Sequence, residues 1–142
     1  MALKKINDKL PDEVKTKILG DEIAYHFEYI PFEKKAGCGE GDKKTSGNDF
    51  IMISDKRILY EATVITEEDD TEKMTQDSGT IPVGKVSFVK TRKSETEDGG
   101  CSGENTAYYA LDVNSGGGEI NIAIPTKEAA DRAKTVIEEI IL

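Results

Sequence analysis

The sequence has no tryptophan, two cysteines and one histidine among its 142 residues. Two cysteines are too few for the disulfide framework that stabilises small secreted domains. Neither Cys38 nor Cys101 has a Cys-x-x-Cys neighbour or a nearby histidine, so we expect no metal bound through sulfur. A chain of this length can bury an apolar core without such staples, and we predict one domain over residues 1–142.

Long apolar runs are also missing. Runs such as residues 51–53 fall far short of the roughly 20 residues that a membrane span needs. No apolar stretch of the kind found in secretory signals follows the N-terminal Met-Ala-Leu-Lys-Lys-Ile. The net charge of −9 opposes binding to nucleic acid and to anionic lipid headgroups. These features predict a soluble, cytoplasmic, acidic protein with no nucleic-acid partner.

Motifs that announce catalysis are absent as well. The sequence contains none of the glycine-rich phosphate-binding or nucleophile motifs, so we predict no enzyme, no catalytic residues and no cofactor. The single histidine, His26, falls on the strand face opposite Tyr25 and Phe27, and we expect it to face solvent or a partner. The acidic run at residues 67–72 has carboxylates but not the spacing of a calcium-binding EF-hand loop, and we expect a solvated loop there.

What the sequence does contain is a series of short strand patterns. Period-two alternation begins after Gly20 with Ile23, Tyr25, Phe27 and Tyr29. The seven predicted strands cover residues 23–30, 50–53, 57–64, 80–83, 85–91, 106–113 and 119–124. The segments at 33–48 and 94–105 are rich in glycine and charge and are interpreted as long loops.

Two helices flank these strands in the prediction. Residues 11–19 favour a short helix with Pro11 at its first position, Val14, Ile18 and Leu19 docked on the body, and Gly20 closing it in the left-handed conformation. Residues 126–141 show apolar side chains at three- and four-residue spacing, typical of an amphipathic helix capped by Thr126. Glu128 and Arg132 are spaced for an ion pair along it.

An open antiparallel sheet has exposed edges, and an amphipathic helix must bury its apolar stripe. We therefore predict a mainly β fold with some α structure. It is a seven-stranded antiparallel bent barrel over residues 21–124, with a short N-terminal helix at 11–19 and a C-terminal helix at 126–141 that caps it.

Two segments resemble a known family. The run at residues 51–60, Ile-Met-Ile-Ser-Asp-Lys-Arg-Ile-Leu-Tyr, is similar to the strand-turn-strand of the GRAM-like and bacterial branches of the pleckstrin-homology-like domains. The end of the predicted short helix, Ile18-Leu19-Gly20-Asp21-Glu22, likewise resembles the Leu-x-Gly-Glu entry of those bacterial domains. This resemblance implies a non-catalytic binding or regulatory module that recognises a protein partner or self-associates.

Some domains of that family bind phosphoinositides through basic residues near the first loop. Here the corresponding residues are Lys34, Lys35, Lys43 and Lys44. Alternating strand directions bring the acidic loops to the same end, where their field opposes anionic lipid, so membrane-surface binding is a weak alternative.

A second alternative uses the cysteines. Cys38 and Cys101 each lie in a glycine-rich loop at that same predicted end, where a disulfide or redox switch requires their Cα atoms to come within roughly 7 Å. The competing interpretation is two unrelated exposed thiols, and sequence alone favours it.

Overall fold

The computed structural model describes residues 3–31, 33–35, 43–45, 49–68, 71–97, 105–116 and 118–142. The strands are β1 (Ala24–Tyr29), β2 (Glu33–Lys35), β3 (Lys43–Thr45), β4 (Phe50–Ser54), β5 (Arg57–Glu68), β6 (Thr71–Pro82), β7 (Val86–Glu97), β8 (Asn105–Ser115) and β9 (Gly118–Ile124). The helices are α1 (Asp12–Lys15) and α2 (Lys127–Ile141), with 3-10 turns at Asn7–Lys9 and Val83–Lys85.

Seven of these strands form one curled antiparallel sheet, a half-barrel: six follow the order β1-β4-β5-β9-β8-β7, and β6 pairs with β5 off this path. Strand β5 is the branch point. One edge of β5 pairs first with β4 and then, at Val64, with Ile122 of β9. The other edge of β5 pairs with β6 along its whole length. Strands β2 and β3 form a separate two-stranded sheet. The predicted mainly β fold, with seven antiparallel strands and a C-terminal helix, is confirmed.

The main core lies on the face of the sheet that α2 covers, called the inner face. Alternate residues of the strands point there, so Ile122 and Ile124 are buried and Ile120 packs partly buried beside them, as predicted. Helix α2 adds four buried side chains, those of Ala129, Ala130, Ala133 and Ile137. Its first turn is capped by Thr126, whose Oγ1 accepts a hydrogen bond from the Ala129 N–H at 3.2 Å, which confirms the predicted cap.

A second core covers the opposite, outer face of β1 and β4. Leu10 and Val14 from the N-terminal segment pack on Phe50 and Met52. Because α2 covers the inner face at the same strand, every residue of β4 is buried. This double burial explains why β4 is a continuous apolar run instead of an alternating one.

The predicted N-terminal helix is longer than the real one, which stops at Lys15. The carbonyl of Lys17 accepts a hydrogen bond from Arg57 at 2.6 Å, and the chain turns away there instead of continuing the helix. Val14 docks as predicted and Ile18 partly so, but Leu19 is half exposed. Gly20 is not left-handed, because among the described glycines only Gly118 has a positive φ.

Three predicted loops contain strand. The acidic run was predicted as a loop, but β5 reaches Glu68 and β6 starts at Thr71, with Glu67 facing Glu72 across the hairpin. Strands β2 and β3 occupy part of the predicted loop at 33–48, and β7 and β8 extend into the loop at 94–105. Backbone pairing extends a hairpin whatever the charge of its side chains, so polar composition alone misplaces these strand ends.

Candidate functional site

Of the six predicted site residues, the two cysteines lie outside the described residues and the four lysines lie on the short strands β2 and β3. Cys38 and Cys101 lie outside the described residues, so the redox alternative stays a prediction. The four lysines lie on β2 and β3, where Lys34 faces Lys44 and Lys35 faces Lys43 in the backbone register. Their segment was expected to be a loop, and the structure instead places the four positions on two paired antiparallel strands.

A buried ion pair joins two distant segments. Glu22 follows the N-terminal turn and has a fully buried side chain, and Arg57 opens β5. The guanidinium donates through Nε to Glu22 Oε2 at 2.9 Å and through Nη2 to Oε1 at 3.2 Å. This two-point geometry is the strongest arrangement that a carboxylate and an arginine can make.

Ser54 and the backbone complete the shell around Glu22. The Ser54 hydroxyl donates to Oε2, and the Leu19 N–H donates to Oε1 at 3.0 Å. Burial of Glu22 acts to raise its pKa, but the hydrogen bonds from Arg57, Ser54 and Leu19 outweigh it and hold the pKa below its ordinary value. Glu22 is therefore a permanently charged structural anchor at neutral pH.

The same turn is fixed by its backbone. Asp55 Oδ1 accepts from the Ile23 N–H at 2.9 Å, and the Asp55 N–H donates back to the Ile23 carbonyl at 2.9 Å. Lys56 Nζ lies 3.3 Å from Asp21 Oδ1 at the surface. The two segments that carry the family resemblance are thus bonded to each other. The sequence analysis singled out both segments but did not predict the Glu22–Arg57 pair. The only signal for it in the sequence was an acidic residue in one segment and a basic residue in the other.

His26 does not face solvent, which corrects the prediction. Its side chain is 13% exposed and lies on the inner-face side of β1, with Nε2 3.5 Å from Glu28 Oε1. Burial, with Arg132 nearby, lowers the pKa of His26 against the opposing effect of Glu28. Arg132 forms a two-point pair with Glu28, which ties the helix to β1, and Glu128, its predicted partner along α2, also helps to raise the pKa of the Arg132 guanidinium.

A third polar cluster lies on the outer face of β7, β8 and β9. Asp112 is almost fully buried, and Arg92 Nε donates to its Oδ2 at 2.9 Å. With its amide oriented to suit its neighbours, Asn121 donates to Asp112 Oδ1 at 2.7 Å and to Glu119 Oε1 at 3.0 Å. Burial raises the pKa of Asp112 despite the bonds from Arg92. These charged groups are engaged by partners within the fold, so their arrangement serves the sheet itself.

Strand β6 is an outer strand of the described sheet, and its Gln76 Nε2 donates to Asp49 Oδ1 at 2.7 Å. Among the described strands it pairs with β5 alone, and its residues from Thr75 to Ser78 are exposed in succession. The other two outer strands are better covered: Asn7 bonds the backbone of Glu22 and Ala24 where β1 begins, and α2 packs along β7. The sequence predicted a strand only over residues 80–83 and missed the rest of β6.

Gly79 lets β6 lie close to its neighbour. It faces Tyr60 of β5, and a Cβ at this position would come within 2.7 Å of the Tyr60 hydroxyl and 3.0 Å of Cζ. The tyrosine ring therefore covers the glycine, a known way of stabilising glycine in a sheet. This contact keeps β6 in register up to the corner at Pro82.

Comparison of the sequence with models of protein families and with curated proteins finds no match. Within the described ranges, no three histidine, cysteine, aspartate or glutamate side chains are grouped so that they could hold a metal ion. The same ranges hold no helix of the length and apolarity that crossing a membrane requires.

Proposed function

We propose that this protein is a non-catalytic binding module that recognises an extended protein segment by adding it as a strand beside β6. The observation that carries the proposal is that, among the described strands, β6 pairs with β5 alone, and that Thr75, Asp77 and Ser78 are exposed. Such an edge presents a row of backbone N–H and C=O groups to a partner strand.

The geometry of β6 favours this role over that of a passive edge. Proteins commonly protect an edge by keeping it short, by bending it with bulges or by covering it. Strand β6 runs without a register break from Thr71 to Pro82, opposite β5, and its proline stands at the far end. The described part of the edge is therefore long and regular enough to add a strand of several residues.

The polar clusters support binding over catalysis. Glu22, Asp112 and Glu28 are each held by an arginine through hydrogen bonds. A general acid or base needs a group that is free to exchange a proton with a substrate. The role also agrees with what the resemblance to pleckstrin-homology-like domains implies.

The test is a pair of adjacent proline variants at exposed positions, Asp77→Pro and Ser78→Pro. Neighbouring residues of a strand direct their N–H groups to opposite edges, so one proline breaks the pairing with β5 and the other removes only an outward donor. Thermal unfolding identifies the variant that has lost only the outward N–H group, because this variant alone should keep a melting temperature near that of the wild type.

The probe is a displayed library of random extended peptides, selected on the wild-type protein. Peptides that bind the wild type and not the edge-blocked variant support strand addition at β6. If the selected peptides bind both proteins equally, the proposed function is wrong.

A further inference from the structure

We propose that His26, Glu28 and Arg132 form an acid-released latch between strand β1 and helix α2. In this latch, a proton taken up by His26 displaces the Arg132 guanidinium from the Glu28 carboxylate. The latch adds a regulatory property to the fold, and none of its three residues lies on β6.

The closed form of the latch is the arrangement seen in the structure. Arg132 donates through Nε to Glu28 Oε1 at 3.0 Å and through Nη2 to Glu28 Oε2. This two-point pair ties the first half of α2 to β1. The Arg132 side chain is 55% exposed and that of Glu28 is 22% exposed, so the guanidinium keeps much of its contact with water while the carboxylate is mostly enclosed.

His26 can supply a competing donor for the same carboxylate. Its Nε2 lies 3.5 Å from Glu28 Oε1, the oxygen that accepts from Arg132 Nε. This Nε2 is buried and has no hydrogen-bond partner among the residues that the structure describes. An imidazolium carries an N–H on both ring nitrogens, so protonated His26 presents a donor at Nε2 whichever tautomer precedes it. A small rotation of the ring then gives an ordinary N–H···O distance of about 2.9 Å.

The charged groups around His26 determine what its protonation does. Strand β1 contributes Glu28 and α2 contributes Arg132, and these two act on the pKa of His26 in opposite directions. Strand β4, which pairs with β1 beside His26, has no titratable side chain. On α2, Glu128 and Glu139 lie one turn before and two turns after Arg132, and Glu128 supports the charged form of its guanidinium. Protonation of His26 therefore sets two cations against one carboxylate.

Of these two cations, Arg132 is the one that leaves. The His26 side chain is only 13% exposed, so its charged form depends on Glu28 as a counter-charge. The more exposed guanidinium is hydrated once it swings away from Glu28. Burial lowers the pKa of His26 below the ordinary value of 6.5, so the latch stays closed at neutral pH and opens in acid. The buried Ala129, Ala133 and Ile137 keep α2 docked, but the helix loses its charged tie to β1.

NMR spectroscopy follows both sides of this exchange in one sample. His26 is the only histidine of the chain, so its ring signals titrate without overlap. The Arg132 Nε–H signal, identified by its loss in Arg132→Met, should be protected at neutral pH and lose that protection with the midpoint of the His26 titration. The His26→Gln variant should keep the signal protected through the same range. A wild-type signal that outlasts the titration, or equal loss in His26→Gln, overturns the latch.

Two substitutions should move the His26 titration in opposite directions. Arg132→Met removes the competing cation and should raise the midpoint by about half a pH unit or more, whereas Glu28→Gln removes the counter-charge and should lower it by a similar amount. Lys134→Met is the matched control, because it removes a cation of the same helix that pairs with Glu138 at 3.3 Å. Melting temperatures check that each variant is folded. A midpoint that Arg132→Met leaves unchanged, or that Lys134→Met raises equally, contradicts the competition.

Hydrogen exchange measures the effect on the helix. Below the His26 midpoint, the amides in the first half of α2 should exchange about fivefold faster, relative to their intrinsic rates, than above it. The His26→Gln variant should lack this step. If both proteins show the same step, or neither shows one, His26 does not control the attachment of α2.

Discussion

Replacing Arg57 by methionine tests the anchor between the N-terminal segment and the β4–β5 turn. The variant removes both bonds to Glu22 and the 2.6 Å bond to the Lys17 carbonyl, but it keeps an apolar chain of similar length. Glu22 is left as a buried carboxylate held only by Ser54 and the Leu19 N–H. Removing one partner of a buried ion pair costs about 3–5 kcal/mol, and we expect the free energy of unfolding at neutral pH to fall by that amount.

The loss should depend on pH in a defined direction. In the wild type the pKa of Glu22 is lowered, so its stabilising contribution is fully present above the ordinary glutamate pKa and is lost only as the pH falls through the lower value. In the variant, burial acts without Arg57 and should raise that pKa, so the carboxyl takes up a proton on mild acidification. The difference in unfolding free energy between the wild type and the variant should therefore shrink by about 1.4 kcal/mol for each pH unit below the pKa of Glu22 in the variant.

Urea denaturation of both proteins at about pH 7 and pH 5 measures these differences. The matched control is Lys56→Met in the same turn, because Lys56 and Asp21 form an exposed pair at 3.3 Å that contributes about 1 kcal/mol or less. Adding Glu22→Gln to the Arg57→Met variant should recover part of the loss, since the buried charge is then gone. An Arg57→Met deficit below about 1 kcal/mol, or one equal at both pH values, refutes the reasoning.

Three further predictions concern single contacts. Gly79→Ala should destabilise the protein by about 1–3 kcal/mol in urea titrations, because its Cβ meets the Tyr60 ring, and Tyr60→Phe should relieve part of that loss by removing the nearest atom; no recovery would count against the contact. Thr126→Ala should cost about 1 kcal/mol of unfolding free energy while Thr126→Ser costs little, and equal losses would rule out the cap. The lowered pKa of His26 means that stability falls as the pH drops below about 6.5, and His26→Gln should flatten that part of the profile of melting temperature against pH; an unchanged profile would contradict it.

The strands that the sequence predicts well are those whose side chains alternate against one covered face. Ile120, Ile122 and Ile124 mark β9 in this way, and the turn at Asp55 and Lys56 lies where the short polar residues indicate. Helix α2 is predicted by the three- and four-residue spacing of its apolar side chains, and its cap by the threonine at position 126. In each case the signal is local, so a window of a few residues contains it.

The remaining features depend on parts of the chain that meet only after folding. Strand β6 is polar on both faces, so no alternation marks its length. His26 is enclosed because it lies on the face of β1 against which α2 docks, where Arg132 of the helix bonds the neighbouring Glu28. The pairs Glu22–Arg57 and Glu28–Arg132 join residues 35 and 104 positions apart, which no local pattern can assign.

The enclosure of β4 has a consequence for measuring this protein. Its edges are paired with β1 and β5, and its two faces are covered by the N-terminal segment and by α2. Its amide hydrogens should therefore exchange with solvent only through global unfolding, and their rates report the full stability of the fold. Because the two covers come from opposite ends of the described chain, a change that loosens either end should appear in the exchange of this one central strand.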